Sequence, residues 1–101
     1  MPIRVLKSSQ FVEWIDGLTD VGGRARILAR ISRLELGNPG DAKPVGSGVS
    51  EMRVDFGPGY RLYYKQYGQS IALLLCGGDK STQARDIATA KQIAANWKPS
   101  K

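Results

Sequence analysis

From Val49 to Cys76 the chain passes through three short stretches rich in β-branched and aromatic residues, roughly residues 49–56, 60–66 and 70–76. They are separated by Gly57-Pro58-Gly59 and Tyr67-Gly68-Gln69. Segments this short, joined by turn formers, pair with their neighbours, so the expectation is an antiparallel meander. Within it the polarity alternates with the period of a strand. Met52, Val54 and Phe56 alternate with Glu51, Arg53 and Asp55, and Leu62 and Tyr64 alternate with Arg61, Tyr63 and Lys65. This predicts a sheet with one apolar face and one charged, solvated face. Given a suitable register, Arg53, Arg61, Tyr63 and Lys65 stand together on the charged face.

The flanking segments read as helices and one more strand. Ile3-Arg4-Val5-Leu6-Lys7 predicts a short first strand, after which Ser8 or Ser9 caps a helix carrying Phe11, Trp14, Ile15 and Leu18 at helical spacing. Gly17 and Gly22-Gly23 mark its exit. A second helix then places Ile27, Leu28, Ile31 and Leu34 on one face, and Gly37-Asn38-Pro39-Gly40 ends it. Residues 41–48 are rich in turn formers and lack periodicity, so they read as a surface loop containing Lys43. Ser81 or Thr82 caps a last helix with the stripe Ile87, Ala90, Ala94 and Trp97, ending near Pro99. The order is β-α-α-β-β-β-α. That is an α+β fold in a single domain over 1–101, a small antiparallel sheet with two N-terminal helices and a C-terminal helix packed on it.

Charge narrows the partners. Lysine and arginine outnumber aspartate and glutamate 15 to 9, a formal net charge of +6 with a pI near 9.8. Such an excess attracts nucleic acid, an anionic membrane or an acidic protein, or simply keeps the surface soluble. Arg26, Arg30 and Arg33 line up at i, i+4 and i+7 on the second helix, as a solvated ridge or as a contact for RNA phosphates or an acidic partner. The chain has no histidine and one cysteine, Cys76, set in an apolar run. An intrachain disulfide, a histidine metal site, a zinc cluster and a Cys-His nucleophile are therefore all excluded, and Cys76 is expected in the core. No metal or cofactor is implied. No stretch approaches the length of a membrane span and the N-terminus lacks a signal-peptide core, so the expected location is the cytoplasm, in a reducing compartment.

Arginine, lysine and tyrosine on sheet strands suit single-stranded RNA, with cations holding phosphates and a phenol ring offering a stacking surface. RNA carries its own nucleophile, the 2′-hydroxyl. A protein that cuts it need only align that group, take a proton and stabilise charge on the phosphorane and the leaving 5′-oxygen. Without histidine, those proton transfers fall to lysine, arginine, tyrosine or a carboxylate. Gly77-Gly78-Asp79-Lys80 leads from a buried strand to a helix N-terminus, a place for a phosphate or only a cap made by Asp79 and Ser81. Asp86 in the first helical turn offsets the dipole.

Taken together, several motifs carry a family resemblance. They are Trp14, Arg24-x-Arg26-Ile27, Gly37-Asn38-x-Gly40-Asp41-x-Lys43-Pro44-Val45-Gly46, Glu51-x-Arg53, Gly57-Pro58-Gly59-Tyr60-Arg61-x-Tyr63, Gly77-Gly78-Asp79-Lys80-Ser81-Thr82-Gln83 and Asp86-Ile87. The set resembles the addiction-module killer proteins of the HigB type, a phage-related branch of the RelE/ParE superfamily, over nearly the whole chain. The resemblance implies a RelE-like fold and a toxin silenced by a cognate acidic antitoxin. In this branch the antitoxin commonly carries a helix-turn-helix domain, through which the complex binds operator DNA. It further implies metal-independent cleavage of mRNA on the ribosome through the 2′-hydroxyl, leaving a cyclic phosphate. By position, Arg61 would stabilise the transition state, Lys80 would act as acid or phosphate clamp, and Lys43 and Arg53 would contact the RNA backbone; strand alternation and helical spacing add Lys65, Arg26 and Arg30 as candidate RNA contacts. The chain departs from the family in one respect. Where relatives place a tyrosine or histidine near the C-terminus, the last helix offers Arg85, Asp86 and Trp97, leaving Tyr63 as the candidate substitute. Members of the ParE branch act on DNA gyrase without ribonuclease chemistry, and a non-toxic relative that binds antitoxin or RNA would need the same basic surface.

Overall fold

The structure, a computed structural model, describes residues 2–97. In chain order it comprises β1 (Arg4–Lys7), α1 (Ser9–Asp16), α2 (Val21–Glu35), β2 (Ala42–Gly46), β3 (Val49–Val54), β4 (Tyr60–Tyr67) and β5 (Ile71–Asp79). A single 3-10 turn at Lys80–Thr82 then leads into α3 (Gln83–Asn96). The five strands form one sheet in the order β1-β5-β4-β3-β2, with β1 parallel to β5 and the other pairs antiparallel. The α+β architecture and the meander are as expected, but the sheet is mixed and larger than the sequence suggested. No helix among the described residues is long and apolar enough to cross a membrane.

The additional strand comes from the segment expected to be a loop. Residues 42–46 pair with β3 at the sheet edge, where Pro44 can lack an N–H without breaking the interior ladder. Ser47 and Gly48 both adopt positive φ, 57° and 76°, as a two-residue hairpin turn demands. Lys43 therefore stands on a strand, directly opposite Glu51.

Both faces of the sheet are covered, which corrects the expectation of a wet face. α1 and α2 close one core around Phe11, Ile27, Leu34, Met52, Leu62 and Leu74. α3 closes a second around Val49, Tyr63, Leu73, Leu75, Cys76, Ala90 and Ala94. The register between β4 and β5 shifts after Tyr63, which pairs with Cys76 while Tyr64 pairs with Leu74. Leu75 is the extra residue of this bulge, and it joins Cys76 in the second core. There the Cys76 thiol donates to the Asp86 carbonyl at 3.4 Å, and burial pushes its pKa up to about 12.

Local signals explain most helix ends. Ser8 caps α1 by accepting from the Phe11 N–H at 3.1 Å. Gly22-Gly23 does not separate the helices but lies in the first turn of α2, capped by Asp20 through the Gly23 N–H at 3.0 Å. A Cβ on Gly23 would lie 2.5 Å from the Tyr60 ring and 2.7 Å from the Asp20 carboxylate, so close packing overrides the low helix propensity of glycine there. Leu28 is 44% exposed and does not share the inward face of Ile27, Ile31 and Leu34. Thr82 holds the N-cap position of α3 but makes no cap bond; its hydroxyl donates to Asp86 instead. The helix end expected near Pro99 lies outside the described residues, and α3 stops at Asn96.

The α2 cap predicts an alkaline weakness. Tyr60 donates to Asp20 Oδ2 at 2.7 Å, and that bond, followed by burial, raises the phenol from 10.0 to about 12. A pKa raised by folding contributes stability that is complete below the unfolded value and is lost as pH rises through the folded one. Thermal melts at stepped pH should hold level up to about pH 10 and decline toward about pH 12, less steeply in Tyr60→Phe. An unchanged decline in the variant would assign the loss to other groups.

Candidate active site

α3 begins beside Glu51 and runs toward Tyr67, where Trp97 meets that ring at a centroid distance of 4.9 Å. It therefore covers the Val49 and Tyr63 end of its sheet face and leaves the opposite end open. Two rows of cross-strand neighbours decide what is found there. In the first, Lys43, Glu51, Tyr63 and Cys76 follow one another across β2, β3, β4 and β5. In the second, whose β5 end lies under the first turn of α3, Arg53 on β3 faces Arg61 on β4, which faces Gly78 on β5. Asp41 joins this row through its carbonyl, which accepts from the Arg53 N–H at 2.8 Å.

Like charges directly opposite on neighbouring strands are unfavourable, so the Arg53 and Arg61 pair asks for compensation or for an anion. Partial compensation is present. Arg53 Nη2 lies 2.9 Å from Asp41 Oδ1. Arg61 Nε lies 3.8 Å from Glu51 Oε1, with the two side chains 13% and 0% exposed. Arg53, Arg61, Asp41 and Asp55 together line an open cavity of about 270 Å³. The Arg61 guanidinium also places Nη1 3.4 Å from the carbonyls of both Gly59 and Tyr60. Gly59, with φ of 82°, marks where Lys80 enters: a Cβ there would lie 3.6 Å from Arg61 Nη1 and 3.6 Å from Lys80 Cβ. Lys80 Cβ and Arg61 thus both lie beside Gly59, while the cavity itself is lined by Asp41, Arg53, Asp55 and Arg61.

Tyr63 is corrected. It shares the sheet face of Arg61, as the alternation predicts, yet it is fully buried under α3 and donates its hydroxyl to Glu51 Oε2 at 3.0 Å. Burial first, then that bond, raises its pKa above the usual tyrosine range, so it offers neither a base nor a stacking surface. The other tyrosines also lie elsewhere: Tyr60 and Tyr64 face the first core, and Tyr67 packs on Trp97.

The remaining candidates separate. Lys65 is on the same face but four residues along β4 from Arg61, about 13 Å at strand spacing, with its ammonium 5.2 Å from the Tyr67 ring centroid. Arg26 and Arg30 sit on α2, which packs on the other face of the sheet. Arg26 lies over the Phe56 ring at 4.8 Å. Arg30 donates to the carbonyls of Arg53 at 2.6 Å and Pro39 at 2.7 Å, tying α2 to β3 and to the approach to β2. That engagement is structural, so the ridge of three arginines does not act as one unit. Sequence reasoning passed over Asp41 and Asp55 in the cavity and the placement of Gln83, whose amide donates to Glu51 Oε2 at 2.7 Å. Period-two alternation did put Asp55 on the face of Arg53 and Arg61.

Comparison with known proteins adds a family and a fold. No family model matches the sequence. An uncharacterised protein of Haemophilus influenzae is 46% identical over 94 residues, an alignment spanning 93% of this chain and 95% of that protein. Among solved structures, a mutant of the Escherichia coli toxin RelE in the free state matches with a TM-score of 0.70 at 15% identity, covering 91% of this chain and 96% of that one. The toxin-antitoxin complex RelBE2 from Mycobacterium tuberculosis matches with a TM-score of 0.52 at 21% identity, covering 79% of this chain and 100% of that one.

Proposed function

Since the chain belongs to one family with the Haemophilus influenzae protein and has the RelE fold, we propose that it is the toxin of a toxin-antitoxin pair. In this reading it is of the HigB type and cuts mRNA on the ribosome without a metal ion. The observation that carries the reading is the juxtaposition of Arg53 and Arg61 on neighbouring strands, with the Lys80 Cβ beside Gly59 at the same end of the sheet. A protein that only needed a soluble surface would not set two arginines opposite one another beside a buried carboxylate.

The chemistry follows from those positions. The 2′-oxygen attacks the adjacent phosphorus, the P–O5′ bond breaks, and the products are a 2′,3′-cyclic phosphate and a free 5′-hydroxyl. Arg61 stabilises the charge on the equatorial oxygens as a preorganised donor. The Lys80 ammonium gives its proton to the leaving 5′-oxygen. With Tyr63 beneath α3 and no imidazole in the chain, the proton of the 2′-hydroxyl passes to a cavity carboxylate. Asp41 is paired with Arg53, so Asp55 takes that role. Arg53 and Lys43 hold flanking phosphates, and a cognate antitoxin with a helix-turn-helix domain silences the toxin and carries the pair to operator DNA.

One observation favours a second reading, a toxin directed at DNA gyrase. Among the described residues, the cleft holds cations and carboxylates but no aromatic ring on which a base could stack. Controlled expression separates the two readings by following growth and mapping messenger 5′ ends. Lys80→Ala should lower cleavage about 10²–10⁴-fold, as expected for loss of a general acid, while Lys65→Ala at the far end of β4 leaves arrest unchanged. Growth arrest with intact messenger and blocked DNA replication would sink the ribonuclease reading.

A further inference from the structure

Glu51 is a fully buried carboxylate in the row of the sheet next to the two cleft arginines. Its Oε2 takes both of its hydrogen bonds, from the Tyr63 hydroxyl at 3.0 Å and from the amide of Gln83, the first residue of α3, at 2.7 Å. Oε1 takes none. It faces Arg61 Nε at 3.8 Å, and that nitrogen also lacks a hydrogen bond among the described residues. A charge enclosed in this way is costly, and an apolar side chain of similar volume would fill the second core more cheaply. Stability therefore gives no reason for a carboxylate here.

Arg61 supplies the reason. Its remaining contacts are long, with Nη1 at 3.4 Å from the Gly59 and Tyr60 carbonyls. Glu51 is the charged group against the inner, Nε edge of the guanidinium, while the cavity lies on the side shared with Arg53 and Asp55. From this arrangement we infer that Glu51 is the positioning residue of the cleft. It fixes the inner edge of the Arg61 guanidinium so that the outer edge meets the phosphate, and through Gln83 it makes that alignment depend on how α3 is seated. The effect on turnover rests on the role proposed above for Arg61; the alignment itself does not.

Electrostatics gives this role a distinctive signature. A negative charge 3.8 Å from Arg61 weakens the attraction of the cleft for an anion, so neutralising it should tighten RNA binding. If Glu51 aims Arg61, the same change should slow turnover, because a small misplacement of a catalytic group costs up to about 100-fold. A role in packing alone predicts no such opposition.

The test uses the full chain labelled with nitrogen-15, with the Arg61 Nε–Hε resonance identified by its absence in Arg61→Lys. In wild-type protein without RNA this proton should exchange slowly with water. In Glu51→Gln, checked as folded by thermal unfolding, its resonance should shift, and Glu51→Asp should shift it less. On ribosomes programmed with one messenger, Glu51→Gln should lower kcat roughly 10- to 100-fold with KM unchanged or lower, and Glu51→Asp should be intermediate. An unchanged Arg61 resonance in Glu51→Gln overturns the inference, and so does a shifted resonance with wild-type turnover. If wild-type protein cleaves no messenger, the ribonuclease reading fails separately, and growth arrest replaces turnover. Arrest lost in Glu51→Gln together with the shifted resonance then supports the positioning role, while arrest retained overturns it.

Discussion

Arg61→Ala should abolish growth arrest and reduce messenger cleavage by roughly 10²–10³-fold, the cost of deleting one preorganised donor to a transition-state charge. Two effects are mixed in that variant and must be separated. Removing the guanidinium leaves Glu51 Oε1 enclosed with no facing charge, a loss of about 1–3 kcal/mol for an unpaired buried group. For a domain of this size that lowers Tm by several degrees, roughly 4–8 °C for each kcal/mol. Arg61→Lys resolves the mixture. It returns a cation near Glu51 and should recover most of the Tm, yet a lysine lacks the planar fork that can meet a phosphate with one edge and Glu51 with the other. Cleavage should stay within about tenfold of the alanine variant. Were lysine to restore both stability and activity, the site would need only a positive charge, and the assignment of Arg61 as an aligned donor would fall.

The sequence carried the Arg53 and Arg61 juxtaposition because strand periodicity is local: residues two apart share a face, and a short turn sets which residues oppose. It could not carry the burial of Tyr63. Alternation assigns Tyr63 to the face of Arg61 but is silent on what covers each face, and that depends on α3, some twenty residues further along. β2 was hidden for a different reason. Lys43-Pro44-Val45-Gly46 has a proline and no clean alternation, and only its position at the sheet edge makes a strand there feasible. Arg30 shows the same limit from the side of charge. Its spacing with Arg26 and Arg33 suggested a shared surface, whereas the carbonyls it binds belong to segments that reach it only in the folded chain. Asp20 and Tyr60 likewise account for Gly23 inside a helix, which propensity alone would have placed in a loop.

Gly78→Ala should destabilise the protein by about 2–4 kcal/mol, more than the usual cost of one added methyl group, because both directions of relief are blocked. Gly78 lies near the end of β5, beyond the stretch paired with β1, and is paired with Arg61 on β4, so the backbone cannot retreat without disturbing that pairing. On its α3 side, a Cβ would collide with the Asp86 carboxylate and come within 3.0 Å of the Thr82 hydroxyl. Asp86 is buried, accepts from Thr82, and through its carbonyl accepts from Cys76, so it is one of the points that hold the start of α3 to the sheet. Relief must therefore come from lifting that first turn. Since Gln83 leaves with it and Glu51 then loses one of its two donors, Arg61 should lose alignment as well. The expected result is a fall in Tm of roughly 10–20 °C, accompanied by a loss of cleavage larger than unfolding at the assay temperature explains. Asp86→Ala in the same chain opens the space the methyl group needs. The double variant should then be more stable than the sum of the single changes by about 1 kcal/mol or more, the signature of two residues in contact. Strict additivity would mean that the strain at Gly78 is taken up elsewhere, and that α3 is not the element tying the glycine strand to the arginine beside it.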